Sequence, residues 1–200
     1  MGHNNQKKIA AINDYTGFGR CSIAVELPVI SALKVQCCPL PTSVLSNHTG
    51  FDSFYFEDFT DSMPAYIAEW KKLNLKFDGI CSGFLGSHRQ IKIVEDFFKT
   101  FKTDENIILV DPVMGDYGKL YSTYTTQTCT EMKKLVKYAD ILTPNLTEAC
   151  ILTDEEYEIM KSHAARGGDI IKETFGNMGN SEYEKMIYEV ARYHHEKWNG

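Results

Sequence analysis

Asp111 and Asp116 are the residues whose type and spacing most directly suggest chemistry. They punctuate the stretch Ile107–Asp116, IILVDPVMGD, in which an apolar run meets an aspartate, a proline that stops a strand, and then a glycine and a second aspartate. Four apolar residues rich in β-branching suit a strand buried on both faces of a parallel sheet. In an open α/β sheet the carboxyl ends of the strands line the ligand crevice. Two carboxylates placed there could hold a divalent cation on a phosphate. Read singly, Asp111 is equally a helix cap and Asp116 ordinary turn chemistry, so the neighbouring elements have to decide.

Those elements alternate. Lys8–Ile12 reads as a strand, followed by Asn13, Asp14 and a turn-rich Thr16-Gly17-Phe18-Gly19. Ser22 caps a helix to about Leu33, and Pro28 inside it predicts a kink or a late start. Val35–Leu40 is a second strand ending at Pro39 and Pro41, and Ser46-Asn47-His48-Thr49-Gly50 is a polar loop. The aromatics from Phe51 to Phe59 read as core or as a subunit contact, and Cys37 and Cys38 as strand packing. A helix from Pro64 to Leu73 precedes a strand from Phe77 to Ser82. His88–Phe101 then places Ile91, Val94, Phe97, Phe98 and Phe101 at helical spacing. With the Ile107 strand this completes a β-α-β unit, which implies a parallel pair and a right-handed crossover. A helix over about Gln127–Tyr138 and a strand over Asp140–Thr143 follow. The alternation predicts a layered α/β fold with a mainly parallel sheet.

Composition narrows the function classes. At 200 residues, 43% hydrophobic and 24% charged, the chain can bury one good core. A net charge of -6 without a basic cluster argues against a nucleic-acid partner. No leader-like apolar stretch opens the chain and no run of eighteen apolar residues occurs, so a membrane role is not expected. The six cysteines lack Cys-x-x-Cys spacing, which points to reduced thiols in a cytoplasmic protein.

Five loop motifs at predicted strand ends carry a resemblance. They are Ile12-Asn13-Asp14 with Gly17-Phe18-Gly19-Arg20, Ser46-Asn47-His48-Thr49-Gly50, Ser82-Gly83-Phe84-Leu85-Gly86, Asp111-Pro112-Val113-Met114-Gly115-Asp116, and Thr143-Pro144-Asn145-Leu146-Thr147-Glu148. In that order they resemble the pyridoxal/pyridoxamine kinases of the ribokinase-like superfamily, over residues 8 to about 154. The resemblance implies a three-layer ribokinase-like fold and ATP-dependent phosphorylation of the 5′-hydroxymethyl group of pyridoxal, pyridoxamine or pyridoxine. Phosphoryl transfer needs positioning and charge neutralisation above all. By resemblance, Asn145 and Glu148 organise Mg²⁺ and its waters beside the nucleotide phosphates, with Asp116 as a further Mg²⁺/ATP contact. Asp111 and Thr143 correspond to positions near a monovalent cation, K⁺ or Na⁺. Asn13, Ser46 and Thr49 match the vitamin side, and Phe84 sits where a wall covers the pyridine ring. His48 reads equally as a substrate contact or as a loop histidine bonded to backbone. Such kinases are commonly dimeric, which leaves a homodimer open. A hydroxymethylpyrimidine-type kinase and a non-catalytic ligand-binding remnant are the rival readings.

The resemblance has a gap. The family's Gly-x-Gly-Asp segment supplies amides at a helix N-terminus that stabilise the transferring phosphoryl group and the aspartate that takes the hydroxyl proton. Arg166-Gly167-Gly168-Asp169 is no substitute, because its glycines are adjacent and too few residues separate it from Glu148. The expectation is therefore a C-terminally truncated kinase-like domain over residues 1–150, with impaired turnover, and a helical tail over 151–200. A truncated parallel sheet should also leave an unpaired edge. In the tail, Glu155, Glu156 and Glu158 suit the first turn of a helix capped by Thr153 or Asp154. This segment resembles a fragment of an HD-GYP phosphodiesterase domain, in which His163, His194 and His195 would correspond to metal ligands. The family's His-Asp doublet and carboxylate ligands are missing, and three imidazoles alone could not assemble a two-metal site. A cyclic-dinucleotide phosphodiesterase is thus the weakest reading, and the two sequences are expected to join within Ala149–Asp154.

Overall fold

A computed structural model describes residues 6–154 and, within helices, Asp169, Lys172 and Glu189. Two compact units divide between Glu148 and Ala149. The expected histidines His163, His194 and His195, and the glutamates Glu155, Glu156 and Glu158, lie outside the described residues.

The first unit is built on a six-stranded sheet. β1 (Lys8–Phe18) lies in its middle, flanked by β2 (Gln36–Asn47) and β4 (Gly79–Ser82). β5 (Ile107–Val110) and β8 (Ile141–Leu142) extend it on one side, and β3 (Phe56–Asp58) closes the other, giving the order β3-β2-β1-β4-β5-β8. All pairings are parallel except β2 with β3. Among the described residues β8 pairs on one side only, with Ile141 and Leu142 exposed.

α1 (Ser22–Ala32) follows β1, α2 (Met63–Lys72) precedes β4, and α3 (His88–Phe101) and α4 (Thr126–Leu135) enclose β5 in the sequence. The α3 helix spans its expected residues. Ser87 caps it by accepting the Gln90 N–H, and Ile91, Val94, Phe97, Phe98 and Phe101 are buried. Phe97 and Phe101 stack at 4.4 Å with Phe77 and Trp70 beside them, so α2, α3 and the approach to β4 share one aromatic core.

Several local readings change. β1 does not end at Ile12: Thr16, Gly17 and Phe18 stay in the strand, and Thr16 and Phe18 pair with Leu45 and Asn47. β2 likewise runs through Pro39 and Pro41 to Asn47, so Ser46 and Asn47 belong to a strand rather than a loop. Its prolines are tolerated because β3 pairs only with Ser43–Leu45, leaving the outer side free at Pro39 and Pro41. Cys21, not Ser22, is the residue before α1, and Pro28 sits inside the helix without delaying its start. The aromatics Phe51, Phe54, Tyr55 and Phe56 are exposed, so they are not core. Gly115 and Asp116 form β6, which pairs with β7 (Lys119–Leu120) in a hairpin. Tyr117 and Gly118 turn that hairpin with φ of 51° and 76°, the left-handed pair that a two-residue hairpin loop requires. Thr153 ends the helix α5 (Leu146–Thr153) and donates its Oγ1 hydrogen to Ala149 O.

Candidate functional site

Register between β1 and β2 slips where β1 reaches its polar residues. Asn13 pairs with Pro41 but Tyr15 with Val44, so Thr42 and Ser43 oppose the single residue Asp14. A bulge at this point re-aims side chains at the carboxyl end of the sheet. Asn13 and Asp14 are both buried. Asn13 Oδ1 accepts the N–H groups of Asp14 (3.0 Å) and Phe84 (2.9 Å), while Nδ2 donates to Glu26 Oε1 of α1 (3.0 Å). The bond to Glu26 uses one of the two Nδ2 hydrogens. Asp14 accepts from Ser22 Oγ (2.6 Å) and Thr16 Oγ1 (2.7 Å), tying the start of α1 to the strand.

The loop after β4 lies against Asn13. Gly83 N–H donates to Ile12 O at 2.8 Å, and a Cβ on Gly83 would fall 2.6 Å from Asn13 Cγ. Glycine is therefore required here for approach. Phe84 is half-buried on this loop. Asp111 follows β5 with its N–H on Ser82 O (2.8 Å), and burial raises its carboxyl above the ordinary aspartate range. Thr143, at the tip of β8, donates its N–H to Val110 O and is otherwise exposed.

Asn145 and Glu148 form a reciprocal cap at the start of α5. Glu148 N–H donates to Asn145 Oδ1 (2.9 Å) and Asn145 N–H to Glu148 Oε2 (2.8 Å). Both side chains also reach the segment carrying β6: Met114 N–H donates to Glu148 Oε1 (3.1 Å), and Asn145 Nδ2 to Gly115 O (2.8 Å). Thr147 Oγ1 accepts the Gly118 N–H (2.9 Å), so three residues of the Asn-x-x-Glu turn hold the hairpin. Glu148 is buried, and desolvation raises its carboxyl against the lowering effect of the Asn145 and Met114 amides, with Asp111 adding to the rise. Asp116 is exposed on β6 and accepts the Tyr117 N–H. Tyr121 feels all three acids. Its phenol is raised by burial first, then by Asp116, Glu148 and Asp111. Asp111, Asp116, Asn145 and Glu148 thus gather on one side of the strand tips. Among the described residues, no three His, Cys, Asp or Glu side chains stand at metal-ligand spacing.

The Ser46–Gly50 residues form a separate lip. Ser46 Oγ donates to Asn47 Oδ1 (2.6 Å) and accepts the Tyr55 N–H (2.9 Å). His48 Nδ1 accepts the Gly50 N–H (3.1 Å) and its ring lies 4.6 Å from that of Phe51, the geometry of a loop histidine bonded to backbone. Thr49 is exposed in the turn. The sequence reading missed Glu26, Thr42, Gln90, Tyr121 and Tyr124. Of these only Gln90 leaves a sequence signal, since Ser87-His88-Arg89-Gln90 has the spacing of a capping box. Cys21, Cys37, Cys38, Cys81 and Cys129 are free thiols. Burial and the nearby Glu26 push Cys37 up to about 11 and Cys81 up to about 12, which leaves both as unreactive thiols.

A mainly parallel sheet whose strand tips gather acids, amides and a glycine-bearing loop defines the class as a ribokinase-like α/β protein. The family model for phosphomethylpyrimidine kinase matches residues 23–177, and the chain belongs to that family, in company with pyridoxal kinases. A Bacteroides thetaiotaomicron protein classed with the phosphomethylpyrimidine kinases, and solved with pyridoxal, is 52% identical with a TM-score of 0.75, covering 76% of this chain and 54% of its own. The pyridoxal kinase of Arabidopsis thaliana is 33% identical over 150 residues, 73% of this chain and 48% of its own. The chain therefore spans about half the length of these relatives. A cyclic di-GMP phosphodiesterase of Vibrio cholerae is 39% identical over 49 residues, 24% of this chain and 10% of its own, a weaker hint bearing on the HD-GYP resemblance.

Proposed function

We propose that this chain supplies the vitamin-binding and part of the nucleotide-binding machinery of an ATP-dependent kinase for the 5′-hydroxymethyl group of pyridoxal and related vitamers. The supporting observation is that Asn13, the Gly83–Gly86 loop and Asp111 follow the carboxyl ends of neighbouring parallel strands, while Asn145 and Glu148 bond the segment that leads from Asp111 to the Asp116 hairpin. The pyridoxal found in the Bacteroides relative favours a B6 vitamer over a pyrimidine. On this reading Asn13 directs its remaining amide hydrogen at the vitamin, with Ser46, Thr49 and His48 on the opposite lip and Phe84 against the ring.

The acids around Tyr121 offer hard oxygen donors, which suit Mg²⁺. The oxygens of Glu148 already accept backbone amides, so Glu148, Asn145 and Asp116 would hold the ion mainly through its waters. Bound Mg²⁺ would neutralise charge on the nucleotide phosphates, and a K⁺ or Na⁺ ion near Asp111 and Thr143 would do so more weakly. The net charge of -6 speaks against a nucleic-acid partner and the composition suits the cytoplasm. Among the described residues no helix is long and apolar enough to cross a membrane. The exposed aromatics around Phe51–Phe56 suit a homodimer contact.

Titration of the 200-residue chain with pyridoxal and with hydroxymethylpyrimidine tests the reading; pyridoxal should bind more tightly, and preference for the pyrimidine overturns it. With Mg-ATP added, phosphate-ester formation should be slow. These residues contain no Gly-x-Gly-Asp, and losing one anion-hole donor alone costs on the order of 10²–10³ in rate. Turnover near that of an intact kinase would show that the missing segment is dispensable.

A further inference from the structure

Gln90 occupies the third position of α3 and is 1% exposed. In a capping box, the side chain at this position returns to the N–H of the capping residue. Here Ser87 Oγ does accept the Gln90 N–H (3.3 Å), but Gln90 Oε1 reaches one residue further back, to the Gly86 N–H at 2.7 Å. Its Nε2 crosses to the neighbouring strand, donating to Thr42 O (2.8 Å) and Thr60 Oγ1 (2.8 Å), with Asp58 Oδ1 at 3.2 Å. One amide thus joins the loop after β4, the bulge in β2 and the segment after β3. A glutamate would suffice for a cap; only glutamine can also donate across the sheet.

The loop receives matching bonds from other elements. Thr42 Oγ1 donates to Phe84 O (2.9 Å), Tyr124 Oη donates to Leu85 O (2.9 Å), and Asn13 Oδ1 accepts the Phe84 N–H (2.9 Å). Tyr124 is buried, and desolvation raises its phenol strongly, so it remains a proton donor. Side chains from β1, β2, α3 and the approach to α4 therefore fix the Gly83–Gly86 backbone, and a loop held in this way has little freedom left to lose when a ligand docks on it.

We propose that Gln90, assisted by Thr42 and Tyr124, is a positioning residue that presets the Phe84 loop as a rigid wall for the vitamin ring. This rests on the pyridoxal reading above. It acts through the loop, without touching the vitamin.

The test compares Gln90→Glu and Thr42→Val with wild type, using the full chain. Gln90→Glu keeps the acceptor for Gly86 but removes donation to Thr42 O and Thr60 Oγ1 and turns a carboxylate oxygen toward Thr42 O and Asp58 Oδ1. Pyridoxal affinity should fall at least about tenfold, more than the loss of one buried hydrogen bond, while ADP affinity stays unchanged. Thr42→Val, which removes only the bond to Phe84 O, should lose less. Amide exchange read without ligand should show Phe84 and Gly86 protected in wild type and faster in both variants. Wild-type pyridoxal affinity in folded Gln90→Glu overturns the proposal, as does an equal loss of pyridoxal and ADP binding, which would mark a merely structural role. If wild type binds no pyridoxal, the vitamin reading itself fails, and protection at Phe84 and Gly86 would then show that the clamp exists but serves something else.

Discussion

The loop Gly83–Gly86 and the hairpin Gly115–Leu120 face the same strand tips and are built in opposite ways. The loop is tied by buried side chains from four elements and is short and fixed. The hairpin has two-residue strands, exposed Asp116, Tyr117 and Leu120, and anchors drawn from a single turn at Asn145–Glu148. On the pyridoxal reading, a flat ring is best met by a preset wall, because its fit depends on shape. Phosphates and their cation are better met by a segment that can adjust, because charge acts over a wider range of positions. On the proposed function, rigidity in this chain follows the kind of ligand, with local motion expected where few buried contacts hold the backbone.

The strongest way to break this contrast is to place a methyl group in each segment. In Gly83→Ala the new Cβ would fall 2.6 Å from Asn13 Cγ, and that side chain is held by bonds to Asp14, Phe84 and Glu26. Overpacking at such a site should cost about 3 kcal/mol, read as a lower urea midpoint for the whole unit. In Gly115→Ala the Cβ meets hairpin backbone, Lys119 O and, at 2.9 Å, Leu120 Cα. There the clash should open the hairpin, with a small change in midpoint and rapid amide exchange at Lys119 and Leu120. Equal global losses in both variants would show that the two lips do not differ in rigidity.

A smaller effect comes from the anchor of the hairpin. Asn145→Ala removes the cap on Glu148 N–H and the bond to Gly115 O. Loss of a side-chain cap costs about 1 kcal/mol, and Mg-nucleotide affinity should weaken while pyridoxal affinity holds. A loss of pyridoxal binding instead would place the two lips in one cooperative unit.

How much of this could be read beforehand follows from where the determining contacts lie. α3 was legible because its buried residues recur at helical spacing behind a serine cap, and β5 because its apolar run meets Asp111 and Pro112. β2 was cut short because Pro39 and Pro41 look like breakers, and only the sheet order shows that their outer side is open. β1 reads as ending at Ile12 because Thr16-Gly17-Phe18-Gly19 looks like a turn, but Gly17 packs against Ser46 O, so its lack of a side chain serves pairing rather than turning. α1 carries apolar residues on all sides, so its sequence could not say which of them would be covered; Ile23 is buried while Val29 is 53% exposed. At the site, the strand-end motifs Asn13, Phe84, Asp111 and Asn145–Glu148 were visible as local patterns. Glu26, Thr42, Gln90 and Tyr124 were not, since each acts on backbone or side chains far along the sequence.

Glu26 sharpens the comparison most finely, because it supports the rigid lip from beneath at a cost. Its Oε1 accepts from Asn13, but Oε2 is buried without a hydrogen-bond partner. Burial raises its carboxyl above the ordinary glutamate value; the Asn13 bond opposes this, and Asp14 and Asp111 add to it. A carboxyl raised in the folded state penalises folding once it ionises. That penalty is absent below the unfolded value, grows as pH climbs toward the raised folded value, and is constant above it. Asp111 is raised as well, while Cys37 and Cys81 face Glu26 as neutral thiols. Glu26→Gln keeps an acceptor for Asn13 and removes the charge, so at neutral pH it should stabilise the chain by about 1 kcal/mol, the scale of one buried polar group. The gain should shrink as pH falls through the raised value and vanish near pH 4. Thermal melts of the two proteins across that range read the difference directly. A gap that stays constant with pH would mean that Glu26 titrates alike in the folded and unfolded chain, and that its burial beneath the Asn13 lip carries no charge penalty.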